Sequence, residues 1–187
     1  MRGAVDQGGR LRDPRLRAAV GSLIFLVVMP GVAAGLVPWG LTGWNVASPP
    51  LIIAVVGYVL LVAGVAVLLH AFVRFVTEGV GTPAPVAPTR RLVIGGLYRY
   101  VRNPMYVAVA LTILGQAMVL GRPVLLLYAL VFGVAVGSFV HFYEEPTLTR
   151  QFGAEYEAYR DAVPPWLPRR RPWLPDEPTN RSDDAAR

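Results

Sequence analysis

Four uncharged apolar runs, at about residues 18–41, 46–73, 104–121 and 123–143, constrain this chain more than any other feature of its 187 residues. His70 and His141 are the only side chains within them that titrate near neutral pH. About 18 consecutive apolar residues mark a helix able to cross a bilayer, and inside hydrocarbon a chain must satisfy its own backbone hydrogen bonds. At 1.5 Å per residue the third run reaches about 27 Å, the tightest fit to a hydrocarbon core of about 30 Å. The expected fold is all-α: an integral membrane bundle of four transmembrane helices, followed by a cytoplasmic amphipathic helix near the carboxy terminus.

Composition agrees, with 54% hydrophobic and only 16% charged residues and a mean hydropathy of +0.46. This argues against an ordinary soluble globule. The absence of cysteine rules out disulfides, thiolate metal sites and cysteine nucleophiles, and two histidines leave little for a metal. All 18 basic residues are arginine, for a net charge of +6. These arginines flank the apolar runs instead of forming one patch with interleaved aromatics, which argues against nucleic-acid binding.

Arginine placement gives the expected topology. Five precede the first run, none lies in the loop from Thr42 to Pro50, five occupy Arg74 to Arg102, one is at Arg122, and seven follow from Arg150 onward. With four crossings the arginine-rich segments and both termini fall on the cytoplasmic side of the cell membrane. A cleaved signal peptide is the competing reading of the first run, disfavoured by its length and its continuation through Trp39. The expected organisation is a basic amino terminus over 1–17, a membrane domain over 18–168 with an extended Gly/Pro loop from Thr77 to Pro88, and a disordered polar tail over 169–187.

Asn103 and Pro104 form a helix-start signal, an asparagine cap before a proline that lacks the amide hydrogen anyway. Gly121, Arg122 and Pro123 read as a tight turn, making runs three and four an antiparallel hairpin. Counting outward from that turn brings Tyr98, Arg99, Arg102, Asn103 and Tyr106 level with His141, Glu144 and Glu145. On a continuous helix His141 and Glu145 share a face at i, i+4, whereas Glu144 and Glu145 diverge by about 100°. Pro146 should kink or stop the fourth helix. An arginine with paired carboxylates and aromatic rings suits a zwitterion that also carries positive charge, such as S-adenosylmethionine (SAM). Headgroup-binding arginines with solvated glutamates are the plainer alternative.

Elsewhere Gln116 reads as bonded to another helix in preference to a substrate contact, and Ala129, Gly133 and Gly137 as a helix-packing stripe in preference to room for a ligand. His70, one turn before Arg74, reads as a snorkelling interface residue. Tyr156, Tyr159 and Val163 repeat at helical spacing, as in a helix resting on the membrane surface.

The order Gly96, Leu97, Tyr98, Arg99, Val101, Arg102, Asn103, Pro104, Met105, Tyr106, then Glu144, Glu145, Leu148, Phe152, Gly153, Glu155, Tyr156, Tyr159, Val163 and Pro164, resembles the isoprenylcysteine carboxyl methyltransferase and phospholipid N-methyltransferase family of integral membrane enzymes. Upstream Gly81, Thr82, Pro83 and Pro85 resemble its bacterial members. The resemblance implies SAM as methyl donor and a lipophilic acceptor reaching the site from the bilayer. It carries Arg102, Asn103, Pro104, Tyr106, Glu144 and Glu145 over as cofactor-side positions, with Tyr98 beside them and Tyr156 and Tyr159 on a closing helix. The chain departs where many members have histidine (Asn103), glycine (Ala108), or, in prenyl-protein members, arginines before the acidic pair (Ser138, Phe139 and Val140).

Methyl transfer from a sulfonium needs alignment and exclusion of water more than a nucleophilic side chain. The expected roles are Arg102 on the cofactor carboxylate or the acceptor, Glu144 and Glu145 on the ammonium or ribose, and the tyrosines around the adenine. Arg102, Glu145 and His141 are the catalytic candidates, with His141 or Glu145 as the base for an amine acceptor. Two rival functions are a non-catalytic membrane interaction or lipid-binding protein of the same fold and an NADPH-dependent membrane reductase. The reductase is disfavoured by the lack of a dinucleotide-type glycine turn.

Overall fold

A computed structural model describes residues 28–79 and 91–174. Expectations for the basic amino terminus, the first ten residues of the first run, the loop at 80–90 and the tail beyond 174 lie outside the described residues. Among the described residues the protein is all-helical, without strands.

Helix α1 covers Val28–Thr42, α2 Leu51–Gly79, α3 Pro104–Leu120, α4 Val124–Phe152 and α5 Ala154–Ala162. A 3₁₀ turn at Gly96–Arg99 leads into α3. The stretches Leu51–Phe75 and Val124–Phe152 are long and apolar enough to cross a membrane, while α1 and α3 are shorter apolar helices. Only 11% of an 18-residue apolar window in each long stretch is buried within the protein, and Leu51, Ile52, Val62, Leu130 and Val134 stand exposed. The core helix of a soluble protein does not turn such residues outward; a lipid-facing one does.

The helices differ from the expected runs for physical reasons. α2 begins at Leu51, after Pro49 and Pro50, and continues to Gly79, so Thr77 and Glu78 are helical and not part of a loop. An ion pair between Arg74 and Glu78, 3.0 Å apart at i, i+4, supports that last turn. α4 does not stop at Pro146. It widens into a π turn at Val140–Glu144 and resumes as Glu145–Phe152, with Pro146 in the first turn of the resumed segment. α1 has the same device, a π turn at Val32–Leu36 followed by Pro38. A wider turn shifts the hydrogen-bond ladder by one residue, so a proline ring and its missing donor fit within a continuing helix.

Gly121 adopts the left-handed conformation, φ 63°, that closes the α3–α4 hairpin. At this end the Ala47 N–H donates to Leu120 O at 2.8 Å, and Arg122 Nε donates to Asn45 O at 2.9 Å. The α1–α2 loop and the hairpin turn therefore share one end of the bundle. Residues 96–106 and 144–165 meet at the other, called here the arginine end.

α2 and α3 form the most extensive interface. Gly57 and Gly64 on α2 face Gly115, Thr112 and Ala108 on α3 so closely that a Cβ at Gly57 would lie 2.9 Å from Gly115 O, and one at Gly64 2.8 Å from Ala108 O. By contrast, a Cβ at Gly133 or Gly137 would meet nothing within 4 Å. The small-residue stripe expected to pack α4 is thus unused among the described residues, and the small-residue seam lies between α2 and α3. Gln116 Nε2 donates to Ala34 O at 2.6 Å, the interhelical partner that a mid-helix amide requires.

Candidate functional site

The α3–α4 hairpin brings two polar stretches together at the arginine end. Arg102 Nη1 lies 3.0 Å from Glu145 Oε1, with side chains only 9% and 21% exposed. The same nitrogen donates to the Tyr156 hydroxyl at 3.2 Å. Beside this pair the Tyr106 hydroxyl donates to Glu144 Oε2 at 3.1 Å. The two carboxylates have separate partners, one a cation and the other a phenol. A partly buried ion pair keeps its charges only when both partners remain and are hydrogen-bonded. Here Arg102 Nε is buried with no partner among the described residues.

α5 folds back over this pair. Tyr156, Tyr159 and Val163 are buried and pack with Leu92, Ile94, Leu148 and Phe152, so the helix turns its aromatic face into the protein and not onto a membrane surface. The Tyr159 hydroxyl donates to Tyr98 O at 2.8 Å. Burial pushes the Tyr98, Tyr156 and Tyr159 hydroxyls above the usual phenol range. At Tyr156 the Arg102 guanidinium opposes that rise, and at Tyr98 the neighbouring Tyr159 and the Glu144 carboxylate add to it. All three remain hydrogen-bond donors at neutral pH.

Asn103 occupies the cap position of α3, but its side chain makes no cap bond there. Instead Nδ2 donates to Pro165 O at 3.2 Å. The backbone N–H groups of Arg102 and Asn103 donate to Pro164 O and Pro165 O. The side chain is thus held as a donor to the following chain, and Pro104 at the helix start brings no N–H of its own. His141 is exposed, its ring edge-on to Phe142 at 4.8 Å between centroids. The π turn lies between it and Glu145, so the α-helical i, i+4 relation expected for the two does not apply.

Sequence reasoning missed two features. The first is the strap beyond Arg169, expected as part of a free tail. Arg169 N–H donates to Tyr100 O and Trp173 N–H to Arg99 O, each at 2.9 Å, and the Trp173 ring lies 5.4 Å from that of Tyr159. An aromatic ring two residues after an arginine run was the available signal. The second is a cavity of about 420 Å³ lined by His70, Arg74, Glu78 and Arg99 among others. The i, i+4, i+8 spacing of the first three could have shown it.

A family model described as phospholipid methyltransferase matches residues 52–155, more than half the chain and the whole hairpin with its acidic pair. The chain belongs to the phospholipid methyltransferase family. Over 78 residues it is 41% identical to the protein-S-isoprenylcysteine O-methyltransferase of Schizosaccharomyces pombe, a match covering 41% of this chain and 33% of that relative. The chain thus spans about a third of the length of the curated relative it matches. No solved structure matches it. The match encloses Arg102, Tyr106, Glu144 and Glu145.

Proposed function

We propose that the protein transfers the methyl group of SAM to a lipophilic or amphiphilic acceptor at the cytoplasmic face of the cell membrane. In this reading residues 18–168 form the methyltransferase domain, four helices cross the bilayer, and both termini are cytoplasmic. The observation that carries it is the Arg102–Glu145 pair with its orphaned Arg102 Nε. An ion pair opened by a zwitterion exchanges one pairing for two, with the ligand carboxylate on the guanidinium and its ammonium on the glutamate. Each buried charge therefore keeps a partner. The donor set fits the amino-acid end of SAM, and the unsatisfied Nε leaves a hydrogen-bond position for a carboxylate oxygen.

SAM, when bound, supplies an electrophilic methyl group for in-line displacement. Arg102 binds the carboxylate, Glu145 the ammonium, and Glu144, positioned by Tyr106, the ribose hydroxyls. Tyr98, Tyr156 and Tyr159 wall the adenine, while Asn103 and Pro104 hold the start of α3 in place through the Pro165 bond. For an amine acceptor Glu145 or His141 takes the proton; His141, exposed at the edge, has a route to water. The phospholipid of the family's name and the isoprenylcysteine of the yeast relative's support an acceptor with a hydrocarbon part.

Isothermal titration of the detergent-purified protein tests the reading. SAM is expected to bind in the micromolar range, and Arg102→Ala or Glu145→Ala to remove binding. No heat of binding from a folded preparation overturns it.

A further inference from the structure

We propose that the arginine end of α2 carries a second binding site, for a membrane amphiphile with a phosphate headgroup. It is built from the charged cavity and an apolar one that adjoins it. The apolar cavity, of about 320 Å³, lies between α2 and α3 and is lined by Val67, Val107 and Leu111. Leu97 and Tyr100 line both cavities, so the two adjoin at these residues. Val67 and His70 stand one helical turn apart, and Arg74 and Glu78 follow at successive turns. Along α2 the lining passes from apolar to charged just where the apolar stretch ends at Phe75. That is the order of acyl chain and headgroup in a lipid.

The charge balance selects an anion. Arg74 is committed to Glu78, and the other oxygen of Glu78 accepts the Gly95 N–H at 2.8 Å. Arg99 has no ion pair among the described residues. Its Nε is buried and has no hydrogen-bond partner among the described residues, and a buried donor without an acceptor carries a desolvation cost that a bound acceptor removes. A phosphate offers several acceptor oxygens and no obligatory donor, in a geometry a guanidinium fork matches.

The wall is closely built: at Gly96, φ 57°, a Cβ would fall 2.9 Å from His70 Nε2 and 3.1 Å from Arg74. Only glycine lets the 3₁₀ turn approach α2 this closely. The adjoining apolar cavity favours a lipid over free phosphate. Arg102 and Glu145 line neither cavity, so the proposal does not rest on the methyl-transfer reading.

The test uses the full chain purified in maltoside micelles, titrated with fluorescent phosphatidylglycerol, with diacylglycerol of the same chains, and with inorganic phosphate as competitor. SAM binding is measured on the same samples. Saturable phosphatidylglycerol binding is expected, with diacylglycerol at least tenfold weaker. Arg99→Gln should weaken phosphatidylglycerol about tenfold, the scale of one hydrogen bond to a charged group. Leu111→Trp, which fills the apolar cavity, should weaken it comparably, and both variants should bind SAM as before. His70→Ala, at an exposed position on the cavity wall, should lower affinity about threefold and covers the case in which Arg99→Gln does not fold. Equal binding of diacylglycerol, or insensitivity to Arg99→Gln and His70→Ala, overturns the phosphate assignment. Insensitivity to Leu111→Trp together with full displacement by equimolar phosphate points to a free anion and overturns the lipid. Loss of SAM binding in Arg99→Gln assigns the cavity to the cofactor and also overturns the proposal.

Discussion

The Arg102 guanidinium touches the Glu145 carboxylate at 3.0 Å at the open end of the α3–α4 hairpin. Either residue alone leaves the other charged and largely enclosed. Glu145→Gln is expected to weaken SAM by between about tenfold and a hundredfold, the range for losing one charge-assisted hydrogen bond. Calorimetry reads the change, and affinity within threefold of the unmodified protein contradicts the assigned role.

Tyr106 should act through Glu144. Tyr106→Phe removes the phenol that donates to Oε2 and leaves a part-buried carboxylate short of a donor, a cost of about 2 kcal/mol. In a chain of this size that lowers the melting temperature by about 5 °C. Thermal unfolding in detergent followed by circular dichroism checks it, and an unchanged midpoint counts against the contact.

Two glycine substitutions should behave in opposite ways. A side chain at Gly115 would meet the Leu61 backbone nitrogen at 2.7 Å and Gly57 O at 2.8 Å, so Gly115→Val should destabilise by about 3 kcal/mol through overpacking. Gly133→Ala faces open space and should be neutral or stabilising by up to about 1 kcal/mol through helix propensity. Detergent-denaturation midpoints of the pair decide whether α2–α3 is the tight seam.

Alkaline stability follows from the buried phenols. Tyr98, Tyr156 and Tyr159 have folded-state pKa values raised above the ordinary value of 10.0, chiefly by burial. Their contribution is fully present below pH 10 and is lost as pH climbs from 10 toward the folded values, because only the unfolded chain then releases the proton readily. Melting temperature should be flat between pH 7 and 9 and fall beyond pH 10. Tyr159→Phe should make that fall shallower.

The strap also has a measurable role. A chain ending at Pro168 lacks the Arg169 and Trp173 backbone bonds and the ring against Tyr159. It should melt several degrees below one ending at Leu174, each lost bond counting about 1 kcal/mol. Equal midpoints would show the strap to be dispensable.

The hairpin was legible in the sequence because Gly121 and Pro123 punctuate two apolar runs of similar length. Counting from that turn put the stretch from Tyr98 to Tyr106 level with His141 to Glu145, but not the individual pairs Arg102–Glu145 and Tyr106–Glu144, whose register depends on the π turn. The Gln116 partner was legible because a lone amide among apolar residues has few alternatives. The route through Pro146 was not, since a proline read by itself signals a stop and the compensating π turn has no composition of its own. The Gly57–Gly64–Gly115 seam stayed hidden because both helices are apolar on every side, so no periodic face marks which glycines meet. Asn103 reads as a cap until Pro165, far along the chain, engages its side-chain amide as a donor.

The widened turn at Val140–Glu144 separates two demands on one helix. Up to Phe139 the residues answer to hydrocarbon, which tolerates almost any exchange among leucine, valine and phenylalanine; from Glu144 onward they answer to a fixed arrangement of charges. A regular helix would couple these, so that losing or gaining one residue in the greasy portion rotated the acidic pair by about 100°. With an extra residue already absorbed at the junction, trimming it offers a one-step way to re-aim both carboxylates while the lipid-facing portion stays as it is.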